Sequence, residues 1–332
     1  MRVLITGGSG FIGTNLIDLL LNEGVKDILN IDIQSPLKKK QNQFWERCNI
    51  LDKENLQRIF SQFNPTHVIH LAARTDTASP RLEDYYDNTE GSASLIEAVE
   101  RCSSIVHTII TSTQYVYKSN EKPLPISDDD YQPHTAYGVS KKITEELTRN
   151  STMSSAWTII RPTNVWGPWN MRYPNEFLKI IDKGLYFHPS NSPNVKSYAY
   201  VKNVVYQIYR IITLPLSEVN KQVFYVGDLP MQSIDWINEF STILTGEKVK
   251  IVPKQFLRLV SYGGDSLRLI GIPFPLHSVR FKNMIDDYNT PMEKTLNILG
   301  LSHPDLTKNV EETILWIKNE GNEFFEYWQS KR

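Results

Sequence analysis

Apolar and polar positions in the first half of the chain follow two periods in turn. Short runs, continuously apolar or β-branched, predict strands at Val3–Thr6, Ile28–Ile33, Phe44–Cys48, His67–Leu71, Ile105–Thr111 and Trp157–Ile160. Between them apolar residues recur three and four apart, predicting helices at Phe11–Asn22, Lys53–Phe63, Tyr85–Arg101 and Ala136–Asn150. Strands apolar on both faces and alternating with helices predict an α/β fold. Its core is a doubly wound parallel sheet, covered on both faces, with a ligand site at the carboxyl ends of the strands. From about Trp166 the alternation stops, and proline, aromatic and asparagine residues crowd Gly167–Pro174 and Phe187–Pro193. A helix at Val201–Ile212 and a strand at Val223–Val226 predict a return to the sheet, before helices at Ser233–Leu244, Lys254–Leu269, Pro291–Leu299 and Asp305–Asn319. The expected division is therefore a sheet domain of residues 1–165, rejoined by 201–228, and a smaller, interleaved C-terminal lobe of 166–200 and 229–332 that caps it. There is no internal repeat or low-complexity linker to separate independent modules.

The junction of the first strand and helix carries the first chemical signal. Gly8-x-Gly10-x-x-Gly13 has the spacing of a dinucleotide phosphate turn, in which glycine permits a tight turn and close approach of the main chain to a pyrophosphate. The helix that follows offers unpaired N–H groups and the positive end of its dipole to the phosphates. Asp32, at the end of the second strand, stands where a carboxylate accepts hydrogen bonds from an adenosine ribose and repels a 2′-phosphate, which favours NAD over NADP. Lys38, Lys39 and Lys40 offer the opposite reading, a 2′-phosphate site, or simply a solvated loop.

Composition narrows the class. The chain has 332 residues, 40% hydrophobic and 22% charged, as expected for a globular fold with a large core. A formal net charge of −1 gives no electrostatic reason to expect nucleic acid. Cys48 and Cys102 fit neither a metal-ligand spacing nor a disulfide framework, so reduced thiols and no metal are expected. The first strand begins at the N-terminus, and no apolar run approaches the length of a membrane span. A cytoplasmic protein without a membrane partner is expected.

Tyr137-Gly138-Val139-Ser140-Lys141 places a phenol and an ammonium one helical turn apart on one face. A cation beside a phenol favours the phenolate, which suits proton exchange with a substrate hydroxyl. The pattern recurs at Tyr198-x-x-x-Lys202, in a segment that reads as extended; Tyr137 instead begins a helix after the strand ending at Thr111.

The chain resembles the extended short-chain dehydrogenases/reductases, in the NAD-dependent nucleotide-sugar epimerase/dehydratase family. The resemblance rests on Gly7-Gly8-Ser9-Gly10-Phe11-Ile12-Gly13, Asp32, Asn49-Ile50-Leu51-Asp52, His70-Leu71-Ala72-Ala73 and Asn88-Thr89-Glu90-Gly91. It continues through Ser112-Thr113 with Val116-Tyr117, Tyr137 to Lys141, and Arg161-Pro162-Thr163-Asn164-Val165-Trp166-Gly167-Pro168. It implies a Rossmann sheet with a substrate-binding lobe, and a homodimer packed through the helices at 85–101 and 136–150. Tyr137 is implied as acid/base, Lys141 as the group lowering its pKa and bonding the nicotinamide ribose, and Thr113 as the hydroxyl on the reacting oxygen. Gly7, Gly10, Phe11, Ile12, Gly13 and Asp32 are implied to hold NAD, with Asn49, Ile50, Leu71, Ala72, Ala73 and Asn88. His70 and His134 are expected to be structural.

Departures from the family pattern narrow the reaction. Members resembling the 4,6-dehydratases carry Asp-Glu directly after the Thr113 equivalent; here Gln114 and Tyr115 stand there, and neither can replace a carboxylic acid/carboxylate pair. That disfavours 4,6-dehydration and leaves oxidation and reduction at one sugar carbon. The resemblance then implies a nucleotide-sugar epimerase, at C4, in surface polysaccharide synthesis. A keto-sugar reductase using NADH or NADPH, and an inactive nucleotide-sensing regulator, stay as alternatives. At the expected diphosphate site the arginine of the family is replaced by Lys196, a point charge without the bidentate fork. Arg280 is a second candidate phosphate ligand, and Asn164 aligns with a substrate-contacting asparagine. Trp166, Trp169, Tyr173 and Phe177 are expected either to line the substrate pocket or to pack a seam between lobes.

Overall fold

The computed structural model describes residues 1–117, 127–190, 194–272 and 274–330. In chain order, β1 is Arg2–Thr6, β2 Asp27–Asp32, β3 Trp45–Arg47, β4 His67–His70, β5 His107–Thr111 and β6 Ala156–Pro162; Gln222–Val226 joins beside β6. These seven strands form one parallel Rossmann-like sheet, ordered Gln222–Val226, β6, β5, β4, β1, β2, β3. The chain runs outward from β1 to β3, then crosses back to place β4 on the other side of β1. The switch of direction between β1 and β4 opens a crevice at their carboxyl ends.

Helices α1 (Phe11–Asn22), α2 (Lys53–Phe63), α3 (Tyr86–Glu100) and α4 (Ala136–Arg149) cover the sheet. The two-residue repeat of a strand decides which side chains each meets. Val3 and Ile5 face Leu16, Ile17 and Leu20 of α1 and Val204, Val205 and Ile208 of the helix Val201–Thr213. Leu4 points the other way, into Leu56, Ile59 and Phe60 of α2 and Leu95 and Val99 of α3. Local chemistry fixes the helix ends. The Asp52 carboxylate accepts the Asn55 N–H (3.0 Å) to start α2, and Asn64 in the left-handed conformation stops it. Thr135 accepts the Gly138 N–H (3.0 Å) and so sets Tyr137 in the first turn of α4.

A third core lies over the carboxyl ends of the strands. It gathers Trp166, Trp236, Phe240, Trp316 and Phe325, with Tyr198 stacked on Trp236 at 4.4 Å. Three two-stranded pairings stitch it together: Asn164–Trp166 with Tyr198–Tyr200, Val195–Lys196 with Met231–Gln232, and Phe187–Pro189 with Lys250–Val252. The helix Ser278–Ile285 was not expected from the sequence, because Phe281 is its one buried residue and no apolar stripe announces it. Residues 191–193 of the proline-rich stretch lie outside the described residues.

Candidate active site

A cavity of about 1990 Å³ opens between the sheet and the capping core. Its first half is the turn after β1. Gly7 has φ +71°, and a Cβ there would lie 2.5 Å from the Ala72 nitrogen, so only glycine allows β4's exit to pass this closely. Gly10 caps α1 without any side-chain acceptor and there is no acidic residue in the first turn, so the N–H groups from Phe11 onward face the cavity electrostatically ready for an anion. At the end of β2 the Asp32 carboxylate accepts N–H bonds from Ser9 (3.1 Å) and Gln34 (2.9 Å). Burial pushes its pKa up, and those N–H donors pull it back. Asn49, Ile50, Leu71, Ala72 and Ala73 complete this wall.

The floor is formed by the end of β5 and the start of α4. Thr113 and Tyr137 both line the cavity; Thr113 Oγ1 accepts the Tyr115 N–H (3.3 Å) and is the side chain that most favours the Tyr137 phenolate. Lys141 is buried and donates to the Thr111 carbonyl (2.9 Å). Burial depresses its pKa to about 8, with the Glu145 carboxylate acting in the opposite sense. Tyr137 is pushed up to about 12, burial outweighing the influence of Thr113; the positive charge among its largest influences is Arg172, on the capping side. Lys141 is not among the largest influences on the Tyr137 phenol, its ammonium being turned to the Thr111 carbonyl. Three further hydroxyls on this floor, Thr111, Ser112 and Thr163, are buried without a hydrogen-bond partner. Polar atoms so placed favour a polar ligand.

The opposite wall belongs to the capping side. Asn164 lines this wall, accepting from Gln114 Nε2 (3.0 Å) and donating to the Ser197 carbonyl (3.2 Å). Lys196 donates to the Asn283 carbonyl; burial lowers its pKa to about 8. Arg280 stands exposed at the rim and donates to the Pro275 carbonyl (2.9 Å). Tyr115 packs against Tyr137, Tyr288 and His134 with ring centroids 6.3, 5.3 and 5.7 Å apart.

The family model for NAD-dependent epimerases/dehydratases matches residues 3–227. The chain belongs to this family. A 4-epimerase for N-acetyl-alpha-D-glucosaminyl-diphospho-ditrans,octacis-undecaprenol from Escherichia coli O157:H7 is 29% identical over 243 residues, covering 67% of this chain and 70% of that protein. Among solved structures, UDP-glucose 4-epimerase from Thermotoga maritima superposes with a TM-score of 0.72 at 22% identity, covering 96% of this chain and 99% of that one. UDP-glucuronic acid 4-epimerase from Bacillus cereus, in complex with UDP-glucuronic acid and NAD, gives 0.72 at 19% identity, covering 96% and 100%.

The family is NAD-dependent. The glycine turn, the uncapped start of α1 and the Asp32 carboxylate fit a dinucleotide. Lys38 is paired with Asp18 and lies 5.5 Å from the Trp169 ring, Lys40 is 3.9 Å from Asp18, and none of the three lysines lines the cavity. Asn88 is not among the residues lining the cavity: its Oδ1 accepts the Arg74 N–H (2.8 Å), and its Nδ2 donates to the Arg74 carbonyl (3.0 Å) and Ser140 Oγ (3.0 Å), tying the strand exit that carries Ala72 and Ala73 to α4. The aromatic set divides, with Trp166 and Trp169 in the capping core and Tyr173 and Phe177 on the cavity wall. His70 is structural, bonded to Thr6 (2.7 Å) and Ser92 (3.0 Å), whereas His134 is exposed on the cavity. In the second Tyr-x-x-x-Lys copy, Tyr198 is stacked on Trp236 and Lys202 pairs with Glu312. Sequence reasoning missed Arg172 and Tyr288 as cavity residues, which have no spacing signal because the fold brings them in from distant elements; Ser112 and Thr163 lie in the quoted motifs, beside Thr113 and Asn164, but were given no role.

Proposed function

We propose that the protein is an NAD-dependent epimerase acting at C4 of a sugar carried on a diphosphate. The observation that carries this reading is the Thr113–Tyr137 pair on the floor of a cavity whose other half fits a dinucleotide. NAD, when bound, supplies a hydride acceptor and later a hydride donor. Tyr137 first loses its own proton to solvent through the open cavity; as the phenolate it takes the proton of the sugar hydroxyl as that carbon is oxidised, and it gives the proton back on reduction, while Thr113 bonds the same oxygen. Lys141 holds the cofactor's ribose side and carries a positive charge below about pH 8. Asn164 orients the sugar, while Lys196 and Arg280 bind the diphosphate. Gln114 has no acidic proton to offer and Tyr115 is held as a neutral phenol by burial, which supports epimerisation over 4,6-dehydration.

The carrier is a nucleotide in the Thermotoga and Bacillus proteins and an undecaprenyl chain in the Escherichia coli one, so the diphosphate is the element these substrates share. We also propose a homodimer packed through the outer faces of α3 and α4, where Ile96, Ile143 and Leu147 flank a shallow groove. The test of the reading is the cofactor released when freshly purified protein is denatured. Oxidised NAD, identified by mass and absorbance, is expected. A protein that releases none and consumes added NADPH stoichiometrically would instead be a keto-sugar reductase.

A further inference from the structure

The helix Lys254–Leu269 is built the wrong way round for a helix covering a water-soluble core. Its buried line is Leu257, Ser261 and Gly264, two of them nearly featureless. Its large apolar side chains face outward: Phe256 is 56% exposed, Leu259 69%, Tyr262 56% and Leu269 88%. Ile270 (71%) and Val279 (62%) extend the same surface past the helix end and onto Ser278–Ile285. Contiguous exposed apolar area of this kind marks an interaction surface.

Charge selects the partner. Residues 248–282 contain seven lysines and arginines and a single acidic residue, Asp265, giving a local charge of +6 in a chain whose total is −1. Asp265 is committed internally, accepting the Ser278 N–H (3.2 Å). A second copy would bring +6 against +6. Nucleic acid would leave Leu259, Leu269 and Ile270 in water. A helix with aliphatic and aromatic residues on its outer arc and basic residues flanking them matches the pattern of segments that lie in a membrane interface, where lysine and arginine reach the phosphates.

We propose that this face docks on an anionic lipid bilayer, with Lys254–Leu269 lying in the interfacial plane. The surface is continuous with the candidate active site, since Phe256, Leu257, Val260 and Val279 also line the cavity. Docking so turns the cavity mouth toward the headgroups. On the epimerase reading, the sugar diphosphate is then one borne by a membrane lipid, reached without leaving the surface. Among the described residues no helix is long and apolar enough to cross a membrane.

The test is sedimentation of the full chain with vesicles of phosphatidylcholine containing either none or about 30 mol% phosphatidylglycerol. Binding to the anionic vesicles is expected, weakening at about 0.5 M salt, where charges are screened within a few ångströms. The double variant Leu259→Glu/Leu269→Glu, outside the cavity, is expected to bind roughly tenfold or more weakly with unchanged thermal midpoint and unchanged turnover of soluble substrates. Failure of the parent chain to bind anionic vesicles overturns the proposal, as does binding indifferent to both salt and the substitutions. Loss of self-association in the variant, without vesicle binding by the parent, would assign the face to a second copy instead. Vesicle binding is read without turnover, so its failure leaves the epimerase reading intact, and an inactive protein that still binds vesicles leaves the docking intact.

Discussion

On the proposed reading Tyr137 is the proton carrier. Burial raises its pKa to about 12 and Thr113 acts in the opposite sense, so the phenolate that accepts a proton has to be stabilised by what binds beside it. Tyr137→Phe is expected to cut turnover roughly 10²–10⁴-fold, the usual loss for a removed general acid/base, while binding of NADH, followed by fluorescence, stays close to the parent's. Unchanged turnover would remove Tyr137 from the reaction.

His70 shows the same physics in a structural role. Ser92 donates to the Asn88 carbonyl (2.6 Å), so His70 Nε2 donates to Ser92 and its Nδ1 accepts from Thr6: a neutral ring. Complete burial depresses its pKa to about 3, with the Lys141 charge adding to the effect. The unfolded chain takes up a proton here below about pH 6.5, whereas the folded chain does not until near pH 3. The stabilisation from a neutral His70 is thus full above the unfolded value and is lost as pH falls toward the folded one. In His70→Asn that loss is absent, so the Tm advantage of the parent should narrow steadily between about pH 7 and pH 4.5. A constant difference would mean that His70 is not held neutral.

At the scale of elements, α4 owes its seat to a buried ion pair. Arg161 of β6 donates from Nε and Nη2 to the two Glu145 oxygens at 2.8 Å each, with both side chains at most 2% exposed. Removing one partner strands the other in a low-dielectric core, so Glu145→Gln should cost about 3–5 kcal/mol in denaturant unfolding. The double replacement Glu145→Leu/Arg161→Met should recover much of that. A loss below about 1 kcal/mol would class the pair with exposed ones. Three predicted helices, Phe11–Asn22, Lys53–Phe63 and Lys254–Leu269, coincide with the observed ones to the residue, because apolar periodicity is a local signal whichever face it ends up presenting, and the Asp52 cap adds a second for Lys53–Phe63. The contacts of Asn88 were not legible because they are tertiary: it holds a backbone segment fourteen residues away in sequence. The two- and three-residue strands of the capping side are too short to show alternation, and their pairing partners come from remote segments.

Over the whole molecule, one net charge concealed two regions. The total of −1 gave no electrostatic cue, yet residues 248–282 alone carry +6, leaving the rest of the chain acidic. That asymmetry is written in the sequence; the outward-facing leucines beside it are not, since a helix period does not say which face meets the core. The cavity likewise unites residues from Gly7 to Tyr288, with the dinucleotide half carried by contiguous motifs and the substrate half scattered. Epimerisation by transient oxidation requires a hydrogen to leave one sugar carbon and return to that carbon inside this cavity. Incubating the protein in deuterium oxide with nucleoside- and polyprenyl-diphosphate sugars and weighing the epimers formed measures this. An epimer with no carbon-bound deuterium and no net consumption of cofactor is expected. An epimer carrying solvent deuterium on carbon, or product formed only as NADH or NADPH is used up, would contradict that mechanism.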